Sequence, residues 1–107
     1  GCGAPLPVWI TETGVGGSHR PGSGVRNTTV AGLRRGCRGL QAALTRWWAS
    51  PRIQGAFQYS FREDDLFRYG LVDTALRRLF LPYKVWWAWG QRASPTDPPP
   101  PLPASCR

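Results

Sequence analysis

Glu12 is the acidic residue whose neighbours best place it to do chemistry. It ends the run Val8-Trp9-Ile10-Thr11-Glu12, and Thr13-Gly14 follows before a stretch dense in glycine. Such a run reads as a short strand that carries a carboxylate to a loop-lined edge, where it can act as nucleophile, base or ligand contact. In an extended chain Val8, Ile10 and Glu12 share one face, while Trp9 and Thr11 share the other. The plain alternative is a carboxylate that caps the loop or pairs with an arginine. His19, in the glycine-rich stretch, and Gln58 and Tyr59, in a second apolar run, are the candidate substrate contacts. His19 has no cysteine or second histidine beside it, so no metal site is expected there. The stretch Gly14 to Gly24 lacks the spacing of either common phosphate-binding glycine motif and reads as a surface loop.

The elements that would position these groups follow from pattern. After the glycine-rich loop, Thr28 or Thr29 can cap a helix whose apolar positions Leu33, Cys37, Leu40, Leu44 and Trp47 recur at helical spacing. Arg34, Arg35, Arg38, Gln41 and Thr45 fall mostly off that stripe, and Gly32, Gly36 and Gly39 weaken the helix by roughly 1 kcal/mol each relative to alanine. Ser50-Pro51 ends it. Ile53 to Phe61 then reads as a second strand, with Ile53, Gly55, Phe57, Tyr59 and Phe61 alternating against Gln54, Ala56, Gln58 and Ser60. A charged loop follows, the segment from Thr74 to Leu81 fits no single pattern, and Pro82 suits the first turn of a helix running to about Trp89. Two successive β-α units predict an α/β fold with parallel strands and helical crossovers. Two strands alone cover too little core, so the pattern predicts the last part of a larger sheet. From Ser94 onward the prolines predict a disordered, polyproline-like tail.

Composition narrows the classes. The chain has 107 residues, 14 basic against 6 acidic, for a formal charge of +8. That excess suits an anionic partner, and Arg34, Arg35, Arg38 and Arg46 are the candidate phosphate contacts, although no nucleic-acid recognition module is present. No stretch approaches the roughly 20 apolar residues of a membrane span. Residue 1 is glycine, so translation is expected to begin upstream, and any export signal of a secreted protein would lie upstream of Gly1. Cys2, Cys37 and Cys106 match no zinc spacing, and one disulfide is open to them without the spacing choosing which. Most of the six tryptophans are expected to pack inside, and Trp47 and Trp86 lie away from the strand ends.

Two stretches carry a family likeness. Val8-Trp9-Ile10-Thr11-Glu12-Thr13-Gly14 resembles the seventh-strand motif of retaining glycoside hydrolases built on the (β/α)₈ barrel, the cellulase-like superfamily. Phe57-Gln58-Tyr59-Ser60-Phe61-Arg62-Glu63-Asp64, with Phe67 and Gly70-Leu71-Val72-Asp73, resembles the eighth strand and following loop of bacterial members. Arg77-Arg78 and Pro82-Tyr83 match the basic residues and helix start that come next. The likeness runs from about Pro7 to Gln91. It implies the last two β-α units of a TIM barrel, an incomplete barrel over residues 1–93 with the tail at 94–107.

By that resemblance Glu12 stands at the position of the catalytic nucleophile, and the implied activity is hydrolysis of O-glycosidic bonds with retention, using no metal or organic cofactor. The implied partner is a carbohydrate substrate. The family's acid/base carboxyl ends the fourth strand, which this chain lacks. Glu63, Asp64 and Asp65 follow the eighth strand and do not fill that role. The expected activity therefore belongs to a longer enzyme, with the isolated chain inactive. The competing expectation is a non-catalytic basic protein that binds anionic partners such as nucleic acid. Sequence decides neither the sugar nor the oligomeric state.

Overall fold

The computed structural model describes residues 3–17, 27–64, 66 and 68–107. Its elements run β1 (Val8–Thr13), α1 (Val30–Trp48), β2 (Ile53–Gln58) and α2 (Pro82–Gly90), ending in a 3₁₀ turn at Ala104–Cys106. β1 and β2 are parallel neighbours in a two-stranded sheet. The chain is thus a small mixed α/β domain with one helix after each strand, as the alternating pattern requires.

α1 begins where Thr29 Oγ1 accepts the Gly32 amide at 3.1 Å. Leu33, Cys37, Leu40 and Leu44 are buried along one stripe, and the arginines at 34, 35, 38 and 46 are exposed. Gly36 has a packing reason: a Cβ there would overlap the carbonyl oxygen of Gly16. Gly16 itself takes φ +103°, a backbone region natural to glycine, with Leu40 and Pro82 against it. The backbone at Gly16 therefore lies directly on the helix.

The core joins Cys37, Leu40 and Leu44 of α1 to Val85 and Trp89 of α2 and to Cys106, with Val15, Trp47, Leu81, Trp86 and Leu102 around it. Burying a large apolar side chain stabilises by roughly 1.5 to 3 kcal/mol, so this cluster dominates the packing. Buried indoles need partners for their N–H groups. Trp86 Nε1 donates to Gln58 Oε1 at 2.9 Å, and Trp89 Nε1 donates to Gln41 Oε1 at 3.0 Å.

The structure corrects three expectations. Strand β2 ends at Gln58 instead of reaching Phe61, and its alternation changes phase. Gly55 and Ala56 are both half-buried, after which Gln58 turns inward while Phe57, Tyr59 and Phe61 stand exposed. β1 slips likewise: between Ile10 and Thr13 it advances three residues while β2 advances from Ala56 to Gln58. A one-residue slip moves side chains to the opposite face. Val8 and Ile10 are half-buried and Thr13 is buried, so Glu12 does not continue their face and is exposed.

The third correction concerns the proline-rich segment, which packs along α1 and α2. Gln41 Nε2 donates to the Pro100 carbonyl at 2.7 Å and Trp48 Nε1 to the Pro95 carbonyl at 3.2 Å. The Arg92 guanidinium sits 4.6 Å from the Trp89 ring centroid and donates to the Asp97 carbonyl at 2.8 Å. Cys106 closes a disulfide with Cys37, at a Cα–Cα distance of 5.7 Å. Prolines already restrict the backbone, so ordering them costs less entropy, and these bonds suffice to hold the segment.

Local bonds hold the described residues between Arg62 and Phe80, which include most of the segment from Thr74 that fits no single pattern. Arg62 and Val72 form a parallel bridge, Val72 and Leu79 an antiparallel one. Asp73 Oδ1 accepts the amides of Arg77 at 2.7 Å and Arg78 at 3.1 Å. Leu71, Val72 and Phe80 are buried beneath this turn.

Candidate functional site

Both strands end at one edge, where the Tyr59 amide donates to the Thr13 carbonyl at 3.0 Å. Thr13 is the buried residue there, and its Oγ1 accepts the Val15 amide at 3.2 Å, turning the chain out of the strand. The Gly17 amide then closes a turn onto the Gly14 carbonyl at 3.1 Å. The Tyr69 ring packs into this turn. A Cβ at either Gly14 or Gly17 would come within 2.7 Å of it. On its other side the Tyr69 carbonyl accepts Gln58 Nε2 at 2.8 Å.

These residues enclose an open cleft of about 550 Å³ lined by Glu12, Thr13, Gly14, Val15, Tyr59 and Tyr69. Glu12 is the one carboxylate among its described lining residues, and it is exposed. Tyr59 is 40% exposed. A carboxylate in a cleft shared with two tyrosines can accept hydrogen bonds from hydroxyls, act as a base or attack an electrophilic carbon, while aromatic rings suit the apolar face of a sugar. Among the described residues no group of three or more His, Cys, Asp or Glu could hold a metal ion.

Of the expected contacts, Glu12 and Tyr59 share this cleft and Gln58 does not line it. The Gln58 carboxamide is used internally: its oxygen accepts Trp86 Nε1, and its nitrogen donates to the Tyr69 and Tyr59 carbonyls. The change of phase in β2 turned it inward, which makes it a strut between strand and helix. His19 lies outside the described residues, as do Asp65 and Phe67. Glu63 is buried and does not line the cleft, while exposed Asp64 accepts the Leu66 amide through Oδ1 at 2.8 Å. Tyr69 and Thr13 were not legible as site residues. The available signal was the pair of glycines at 14 and 17, which marks a close approach without naming the ring that fills it.

Among the described residues no helix is long and apolar enough to cross a membrane. Comparison with known proteins finds no matching family model, no matching curated protein and no matching solved structure.

Proposed function

We propose that this chain forms the last two β-α units of a (β/α)₈ barrel in a longer enzyme, and that the enzyme hydrolyses O-glycosidic bonds with retention of configuration. The observation that carries the reading is Glu12 at the carboxyl end of a parallel strand, in a cleft it shares with Tyr59 and Tyr69. Barrel enzymes place reacting groups at that end of their strands.

In this reaction the Glu12 carboxylate attacks the anomeric carbon as the bond to the leaving oxygen breaks, and a carboxylic acid roughly 5 to 5.5 Å away protonates that oxygen. The resulting glycosyl ester is cleaved by water, whose proton passes to the second carboxylate, and Glu12 leaves ionised. Tyr59 and Tyr69 stack on or hydrogen-bond the sugar. The second carboxylate comes from outside this chain.

An activated 2-deoxy-2-fluoroglycoside with a dinitrophenolate leaving group tests the assignment, because so good a leaving group departs without acid assistance. In the full-length enzyme it should trap a covalent adduct that peptide mass spectrometry locates on Glu12. Glu12→Ala should lower turnover by several orders of magnitude, and azide should restore cleavage with formation of an inverted glycosyl azide. An adduct on another carboxylate, or wild-type turnover in Glu12→Ala, removes Glu12 from the mechanism.

A further inference from the structure

A second groove lies between α2 and the proline-rich segment, and it shares no lining residue with the Glu12 cleft. It measures about 550 Å³ and is walled by Tyr83, Lys84, Trp87, Pro101, Leu102 and Arg107, with no acidic residue among its lining. Trp87 is 57% exposed, unlike Trp86 and Trp89 of the same helix, whose N–H groups are bonded inside. Lys84 and Trp87 stand three residues apart on α2, so cation and ring are neighbours on its surface.

Tertiary structure continues the positive charge beyond the groove. The disulfide ties Cys106, next to Arg107, to Cys37, next to Arg38. Arg34 Nε donates to the Ser105 carbonyl, two residues from Arg107. The exposed face of α1 carries Arg34, Arg35 and Arg38, and α1 has no acidic side chain at all. Arg34 and Arg38 lie about 6 Å apart along the helix axis.

We infer that this surface binds single-stranded nucleic acid, with a base stacked on Trp87 in the groove and successive phosphates on Lys84, Arg107 and the arginines of α1. A basic track beside an exposed aromatic ring is the arrangement that holds single strands with little sequence preference. Guanidinium groups suit phosphate oxygens through paired donors. The inference is independent of the glycosidase reading, since the residues differ.

The test is fluorescence anisotropy of a labelled oligothymidylate of about ten nucleotides with the whole chain, at about 0.15 M salt and across a salt series. Saturable binding is expected, weakened roughly 5- to 100-fold by Trp87→Ala and largely retained by Trp87→Phe. Lys84→Ala combined with Arg34→Ala should flatten the slope of log affinity against log salt by about 1.4, which is about 0.7 per lost phosphate contact. Circular dichroism of each variant reports folding, and the cation pair reads the same surface without touching the ring. Absence of binding at that salt, or binding that Trp87→Ala leaves unchanged, overturns the inference. So does equal affinity for a sulfated polysaccharide of matched charge, because it would show attraction by charge alone.

Discussion

Tyr69 packs its ring against the α-carbon of Gly14, so closely that a Cβ there would come within 2.7 Å of the ring. The contact ties the turn after β1 to a residue 55 positions on and sets one wall of the Glu12 cleft. Gly14→Ala should displace the ring and destabilise the domain by about 1 to 3 kcal/mol through overpacking. Denaturant titration measures the loss. Combining it with Tyr69→Ala should recover part of it, since the clashing group is gone; additive losses would show that the clash is not the cause.

Two glycines of α1 should respond to alanine with opposite signs. Gly39 is exposed with nothing within 4 Å of the added Cβ, so Gly39→Ala should stabilise by about 1 kcal/mol from helix propensity. That corresponds to a melting rise of roughly 4 to 8 °C in a domain of this size. Gly36 is buried against the Gly16 carbonyl, so Gly36→Ala should lower the melting temperature. A gain at both positions would mean that the Gly16 backbone does not rest on the helix.

The disulfide between Cys37 and Cys106 closes a separation of 69 residues. Chain-entropy reasoning assigns such a loop about 4 kcal/mol. Cys106→Ser should therefore shift the denaturation midpoint strongly downward and remove hydrogen-exchange protection from the amides of residues 104–107. An unchanged midpoint would show that Gln41, Trp48 and Arg92 hold the segment unaided.

Asp73 should give the turn before α2 an acid-side weakness. The Arg78 and Arg77 amides bonded to its carboxylate hold its pKa below the ordinary value, with smaller help from the two guanidinium charges. A carboxylate with a lowered folded-state pKa contributes stability above its unfolded value, and that contribution is lost as pH falls through the folded value. Melting temperature should thus fall more steeply below about pH 4 in the wild type than in Asp73→Asn. The asparagine keeps an acceptor for the two amides without titrating. Parallel curves would remove Asp73 from the acid response.

Local pattern carried the order of elements. The β-branched run at Val8, the apolar stripe from Leu33 to Leu44, Thr28 or Thr29 as a cap, Ser50-Pro51 as a stop and Pro82 as a start each act within a few residues of themselves, so the parallel α/β arrangement was legible in the sequence. The place of Glu12 at a loop-lined edge belongs to the same class, because glycines follow the strand, whereas its exposure came from the slip that took it off the face of Val8 and Ile10.

Face and partnership were decided elsewhere. The slips in β1 and β2 exchange the two faces of a strand without changing its composition, which is why Gln58 became an internal strut while Phe57 stayed outside, 50% exposed and stacked on Trp9 at 5.9 Å. Trp86, Trp87 and Trp89 are alike in sequence, yet Gln58 and Gln41 claim two of them and leave the third at the surface. The prolines after Ser94 predicted disorder from composition alone. Their order depends on carbonyls meeting Gln41 and Trp48 and on Cys106 meeting Cys37, contacts whose partners lie 47 to 69 residues away. Residue type and spacing set what each segment can be, because propensity and periodicity are local. Which side chain faces inward, and which distant group it meets, is chosen only when the whole chain competes for one core.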